Sequence, residues 1–272
     1  MTNEPDVKAG GQVTRESAAV GRVSGARASH GLGRMRTLIM VSGIVAGLAA
    51  FAIGEATSEL IPPDNVKFDF FGAARAQITR DTPRVVTRMA ALAFGVLGVS
   101  LGGCLGIAGG LARRSTSGCV SGGLSGAVLG GVLGAVGALG LLPGSMEMRI
   151  QHPNNDLVIG ILLHGMIWGP LGAVSGLAFA IGLGQPRLAV RAAVAGLVGA
   201  VAGSVAFDLI GGFAFPLAKT DSAISLTWPS RLFARLMVGA LTAAVVALLL
   251  PATRTTTGAL QEPSIPTTIP EA

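Results

Sequence analysis

The chain of 272 residues carries 20 basic and 14 acidic side chains, a net charge of +6, yet only 12% of it is charged while 50% is hydrophobic. A water-soluble domain of this length carries about 25% charged residues, so too little polar surface remains here to cover a globule in water. Long uncharged apolar runs exclude a disordered chain, and the remaining solvent is the bilayer.

In chain order, residues 1–33 are rich in Gly, Ala, Ser and Arg without apolar periodicity and read as a disordered cytoplasmic tail. Six runs follow that are long enough for a hydrocarbon core of about 30 Å, which takes about 20 residues. They cover 37–54, 89–112, 119–142, 157–183, 192–217 and 232–250. Arg34 and Arg36 precede the first, Arg113 and Arg114 stop the second, and Pro143 and Pro251 end the third and sixth. Residues 34–253 therefore read as one all-α, polytopic transmembrane domain, and the Thr- and Pro-rich stretch 254–272 as a second disordered tail.

Two features of the first run and its sequel leave alternatives open. Ala50-Phe51-Ala52 has the small-x-small form of a leader cleavage site, although a polar segment of this length before the run is unusual for a leader. The connection 55–88 mixes Phe68, Phe70 and Phe71 with Lys67, Arg75 and Arg80, which fits either a helix lying among the lipid headgroups or a surface loop. Cationic residues are nearly balanced between the two sides. The tight loops at Arg113-Arg114 and Arg187–Arg191 share a side with the N-terminus, so they favour a cytoplasmic N-terminus in an inner or plasma membrane of bacterial type.

The most specific pattern is glycine at every fourth position: Gly98, Gly102, Gly106 and Gly110 in the second run, then Gly118, Gly122, Gly126, Gly130 and Gly134 in the third. Four-residue spacing places each series on one stripe of its helix. Lipid gives no hydrophobic reward for helix association, so bare stripes that let two backbones approach predict a glycine-zipper hairpin of spans two and three. Gly169, Gly199 and Gly203 extend the theme less regularly. None of these glycines opens a helix after a strand, which excludes a phosphate-binding loop. Arginines four apart begin three runs, at Arg84 and Arg88, Arg187 and Arg191, and Arg231 and Arg235, where they read as anchors reaching toward lipid phosphates.

Ionisable residues inside a membrane are functional candidates because burying them is costly. His164 and Asp208 lie well within their runs, Arg235 lies one turn into the sixth, and Glu55 ends the first. With antiparallel neighbours at 1.5 Å per residue, all four fall on the same side of the midplane. Asp208 is thus expected to pair with Arg235, the stronger cation, or with His164.

Catalytic and metal patterns are missing. The sequence has no H-E-x-x-H or G-x-S-x-G, and neither Cys104 nor Cys119 stands at metal-ligand spacing from another cysteine or histidine. Neither a cofactor nor an enzyme is expected. Nucleic acid is excluded as a partner despite the isoelectric point of 10.6, because the cations flank the spans and form no face with interleaved aromatics. The expected partners are the lipid bilayer and a second copy or another membrane protein. A non-catalytic structural or assembly component packed through glycine stripes is one reading. A channel or secondary carrier for a small ion, proton or neutral solute, centred on His164, Asp208, Arg235 and Glu55, is the other.

Overall fold

A computed structural model describes residues 33–57, 82–215, 220, 222–225 and 227–250. The tails and the phenylalanine-bearing part of the first connection lie outside the described residues. Six helices are each long and apolar enough to cross a membrane: α1 (Gly33–Thr57), α2 (Thr82–Arg113), α3 (Thr116–Gln151), α4 (Asp156–Leu183), α5 (Ala189–Ala214) and α6 (Trp228–Leu249). Short 3-10 turns at Pro153–Asn155 and Pro186–Leu188 lead into α4 and α5.

The helix ends follow local chemistry. Only Arg114 and Ser115 separate α2 from α3: Arg114 takes a left-handed conformation (φ 59°), and the Ser115 side chain accepts a hydrogen bond from the Gly118 amide at 3.1 Å. That serine satisfies one of the open donors of the first turn. At the other end of the bundle α4 stops at Gly184, whose φ of 68° is a conformation that favours glycine.

Several boundaries differ from those expected, the start of α2 at Thr82 instead of residue 89 among them. α3 does not end at Pro143 but runs through it to Gln151, since a proline removes one backbone hydrogen bond without forcing a stop. At 36 residues and about 1.5 Å per residue it is about 54 Å long, so its last turns with Glu147 and Arg149 outreach the hydrocarbon. α6 begins at Trp228, because Pro229 is tolerated in a first turn that has no donor partner to lose. α5 ends at Ala214, three residues before the expected limit.

Glycine decides which helices touch. α2 and α3 run antiparallel with Gly98 against Gly130, Gly102 against Gly126 and Gly106 against Gly122, backbone to backbone, with no room for a methyl group at any of them. α4 joins at the hairpin end, where Gly182 lies against Gly106, Gly118 and Gly122. α4 then packs on α5 through Gly172, Gly176 and Gly196, and α5 packs on α6 through Gly199 and Gly203. Gly43 and Gly47 of α1 close on Gly239 and Arg235 of α6. Such contacts replace the missing hydrophobic drive with dispersion at short range.

The two ends of the bundle therefore differ. Where α2 ends and α3 begins, three helices meet on bare backbone. At the opposite end, which holds the C-terminal ends of α1, α3 and α5 and the start of α2, α4 and α6, larger and polar side chains fill the space.

Candidate intramembrane polar site

His164 stands eight residues into α4 and Asp208 six residues before the end of α5, placing both about 9–12 Å below the helix ends. α4 and α5 are neighbours, and the two side chains meet: His164 Nδ1 lies 2.8 Å from Asp208 Oδ1. Both are buried, at 1% exposure each. This is the length of a charge-assisted bond, and a low-dielectric setting strengthens it.

Aromatic rings enclose the imidazole. Trp168, one turn along α4, stacks on His164 at 4.9 Å between ring centres, and Phe207, beside Asp208 on α5, meets the imidazole edge-on at 5.9 Å. Trp168 and Phe207 touch each other at 5.8 Å, so the three rings form one cluster. A protonated His164 would sit against the face of Trp168 with its positive charge stabilised by the indole and by Asp208. Two buried polar atoms here have no hydrogen-bond partner, Asp208 Oδ2 and Trp168 Nε1.

The depth of Asp208 favours Arg235 as its partner, and the structure corrects this. Depth along helices resolves the axial coordinate only, whereas the direction around α6 decides the contact. Arg235 faces α1 and donates a hydrogen bond from Nη1 to the Ala50 carbonyl. Its guanidinium lies over Gly54, where any side chain would collide with it. Arg235 is 8% exposed and makes no ion pair with a carboxylate among the described residues.

Glu55 takes the other arginine. Arg231 Nε donates to Glu55 Oε1 at 2.7 Å and Nη2 to Oε2 at 2.6 Å, a bidentate fork that ties the end of α1 to the start of α6. Arg231 also donates to the Ser225 carbonyl at 3.2 Å. The sequence treats Arg231 and Arg235 as anchors to lipid phosphate, but both turn inward because α1 presents acceptors at matching height.

These groups surround a partly open recess of about 40 Å³. It is lined by His164, Trp168 and Phe207, by Arg231 and Arg235, by Phe94 and Leu97 of α2, and by Ala223–Ser225. A buried water needs about 10–15 Å³ by this measure, so the recess holds about three waters or an ion of similar bulk. Trp228, 59% exposed at the start of α6, marks the interfacial level that indole prefers. Arg235 lies seven residues, or about 10 Å, deeper.

Of the four residues singled out in the sequence, His164 and Arg235 line the recess, Asp208 supports His164 from behind, and Glu55 holds Arg231. Sequence reading passed over Trp168 and Phe207, although Trp168, four residues after His164, shares its helix face. It also passed over Gly54, whose spacing of seven from Gly47 places it on the same face of α1. The nine glycines at four-residue spacing in α2 and α3 all lie in contacts inside the chain. Among the described residues no three His, Cys, Asp or Glu side chains converge on a metal site. Cys104 and Cys119 are free and partly buried.

No protein-family model, curated protein or solved structure matches the chain. The fold itself defines the class, a six-helix integral membrane protein.

Proposed function

We propose that this protein is a secondary carrier for a small solute, with the recess beside His164 as its binding site. One observation carries the reading: space large enough for several waters reaches the buried His164, hydrogen-bonded to Asp208, about 10 Å below the interface. Intramembrane ionisable residues at a cavity mark solute or proton paths. The opposite half of the bundle is closed by backbone contact among α2, α3 and α4, which is the arrangement of a carrier open to one side.

Single cysteines test it in a protein whose Cys104 and Cys119 are replaced by alanine. Ala234→Cys in the recess wall should react with a membrane-impermeant thiol reagent from the face that holds the end of α1, and from that face only. Ala178→Cys, buried at 1% in the glycine-packed half, should react from neither. A folded protein in which Ala234→Cys is also unreactive would overturn the carrier reading.

A structural or assembly role is the second reading, supported by one feature. α3 buries only 22% of its most apolar window, against 56% for α2, leaving Val120, Leu124, Val128, Val132 and Val136 exposed along one stripe.

A further inference from the structure

Charge bookkeeping in the polar half is uneven. Asp208 is engaged by His164, and Glu55 is forked by Arg231. Among the described residues Arg235 touches no carboxylate, although Glu55 attracts it from a distance: it is nine-tenths buried, its one described hydrogen bond goes to a backbone carbonyl, and it lines the recess. A guanidinium is charged at every accessible pH, so it cannot relieve the cost of burial by losing its proton as a lysine would. A buried cation without a counter-charge is destabilising by several kcal/mol in effective terms. An anion in the recess removes that cost.

We propose that the solute bound by the recess is a small monovalent anion of the carboxylate type, held by Arg235. The inference rests on the carrier reading for its site and goes beyond it in naming the solute class. A single guanidinium without a carboxylate in contact, among the described residues, matches one negative charge. The free volume admits about three heavy atoms, the size of formate, with acetate near the upper limit. A planar guanidinium presents paired donors that match two carboxylate oxygens. Trp168 supplies a further donor, since its Nε1 is buried without a partner in the lining of the same recess.

Gly54 sets the position of the guanidinium. Any Cβ there would strike the Arg235 head group, which is the mobile end of its side chain, so a methyl group shifts the charge while leaving backbone packing intact.

The sequence contains two tryptophans, so Trp228→Phe leaves Trp168 as the single indole reporter within the recess wall. The full chain with this change, in nanodiscs of phosphatidylcholine, is titrated with sodium formate, acetate, chloride and sulfate against a gluconate background of constant ionic strength. A saturable change in emission is expected for formate and acetate, with half-saturation in the millimolar range that so few heavy atoms allow. Sulfate, which is divalent, should give none. Arg235→Gln should abolish the response, and Gly54→Ala, which keeps both the charge and the fold, should weaken it at least fivefold.

No saturable response to any small anion overturns the proposal, as does an unchanged formate curve in both variants. Phosphatidylglycerol that reproduces the emission change and blocks formate would assign the site to a lipid phosphate and equally overturn it. Exchange of formate for chloride across liposomes separates this idea from the carrier reading. Binding without exchange keeps the anion site and removes the carrier. A reactive Ala234→Cys without an anion response removes the anion site and keeps the carrier.

Discussion

At the residue scale, the interhelical bond of His164 to Asp208 is the strongest polar contact described between α4 and α5. Hydrogen bonds between transmembrane helices contribute about 0.6 kcal/mol on average and about 1.7 at most, because the unfolded chain in lipid also finds partners. This pair is fully buried and charge-assisted, which places it at the upper end. A cycle of His164→Ala, Asp208→Ala and the double variant should give a coupling of about 1–2 kcal/mol in a reversible unfolding measurement within bicelles. Coupling below about 0.3 kcal/mol, the ordinary scatter of additive sites, would mean that the contact contributes nothing to holding the helices.

Glu55 and Arg231 offer the contrasting case, since their side chains are 29% and 24% exposed. Water screens such a pair, and even a bidentate geometry is worth about 0.5–1 kcal/mol there. Glu55→Gln should therefore lower stability by no more than that while removing the carboxylate that forks Arg231 beside the recess. A tighter formate half-saturation in Glu55→Gln than in the parent is the expected consequence, because the carboxylate that competes with the anion for the nearby guanidinium groups is then gone. A weaker one would show that Glu55 positions Arg231 for binding instead of competing with the anion.

How much of this site the sequence disclosed follows from geometry. Scarcity exposed His164, Asp208 and Arg235 at once, because an ionisable group stands out in an apolar run. Axial depth was also legible, since each residue advances a helix by a fixed rise. The choice between His164 and Arg235 was not, because it depends on which face α6 turns to α5, and this is fixed by Gly43, Gly47 and Gly239 drawing α6 toward α1. Trp168 and Phe207 were hidden for a different reason. An aromatic side chain within an apolar span looks the same whether it faces lipid or a histidine.

At the scale of elements, the glycines of α2 and α3 serve close approach, and their value depends on what each one faces. Gly102 lies on the backbone of Gly126, so a methyl group forces the two helices apart along the hairpin. Overpacking of a rigid contact costs about 1–3 kcal/mol, and Gly102→Ala should destabilise by that amount. Gly137 belongs to the same α3 but meets nothing within 4 Å. There the added methyl stiffens the helix without a clash, and Gly137→Ala should stabilise by about 0.5–1 kcal/mol. Equal effects of the two substitutions would mean that helix propensity, not packing, governs these positions. Spacing alone separated the two sets imperfectly: Gly130 and Gly134 continue the buried series, while the glycines at 137, 140 and 144 leave the four-residue register and turn outward.

At the scale of the whole molecule, the outer face of α3 separates the two functional readings. Interfaces between membrane helices need small residues, because only these let backbones approach, and α3 has turned its glycine stripe inward onto α2 and α4. What remains outside is Val120, Leu124, Val128, Val132 and Val136, bulky and without a hydrogen-bonding group. Lipid covers such a stripe at no cost. A spin label at Val128→Cys, in the protein lacking Cys104 and Cys119, should accordingly be accessible to oxygen and protected from a water-soluble nickel reagent. Dipolar spectroscopy at high dilution in liposomes should give no fixed distance between chains. The same measurement at Gly140→Cys covers a glycine-bearing part of α3 that faces outward. A reproducible intermolecular distance at either position would make α3 an interface, and the six helices would then act as a subunit whose recess opens within a larger assembly.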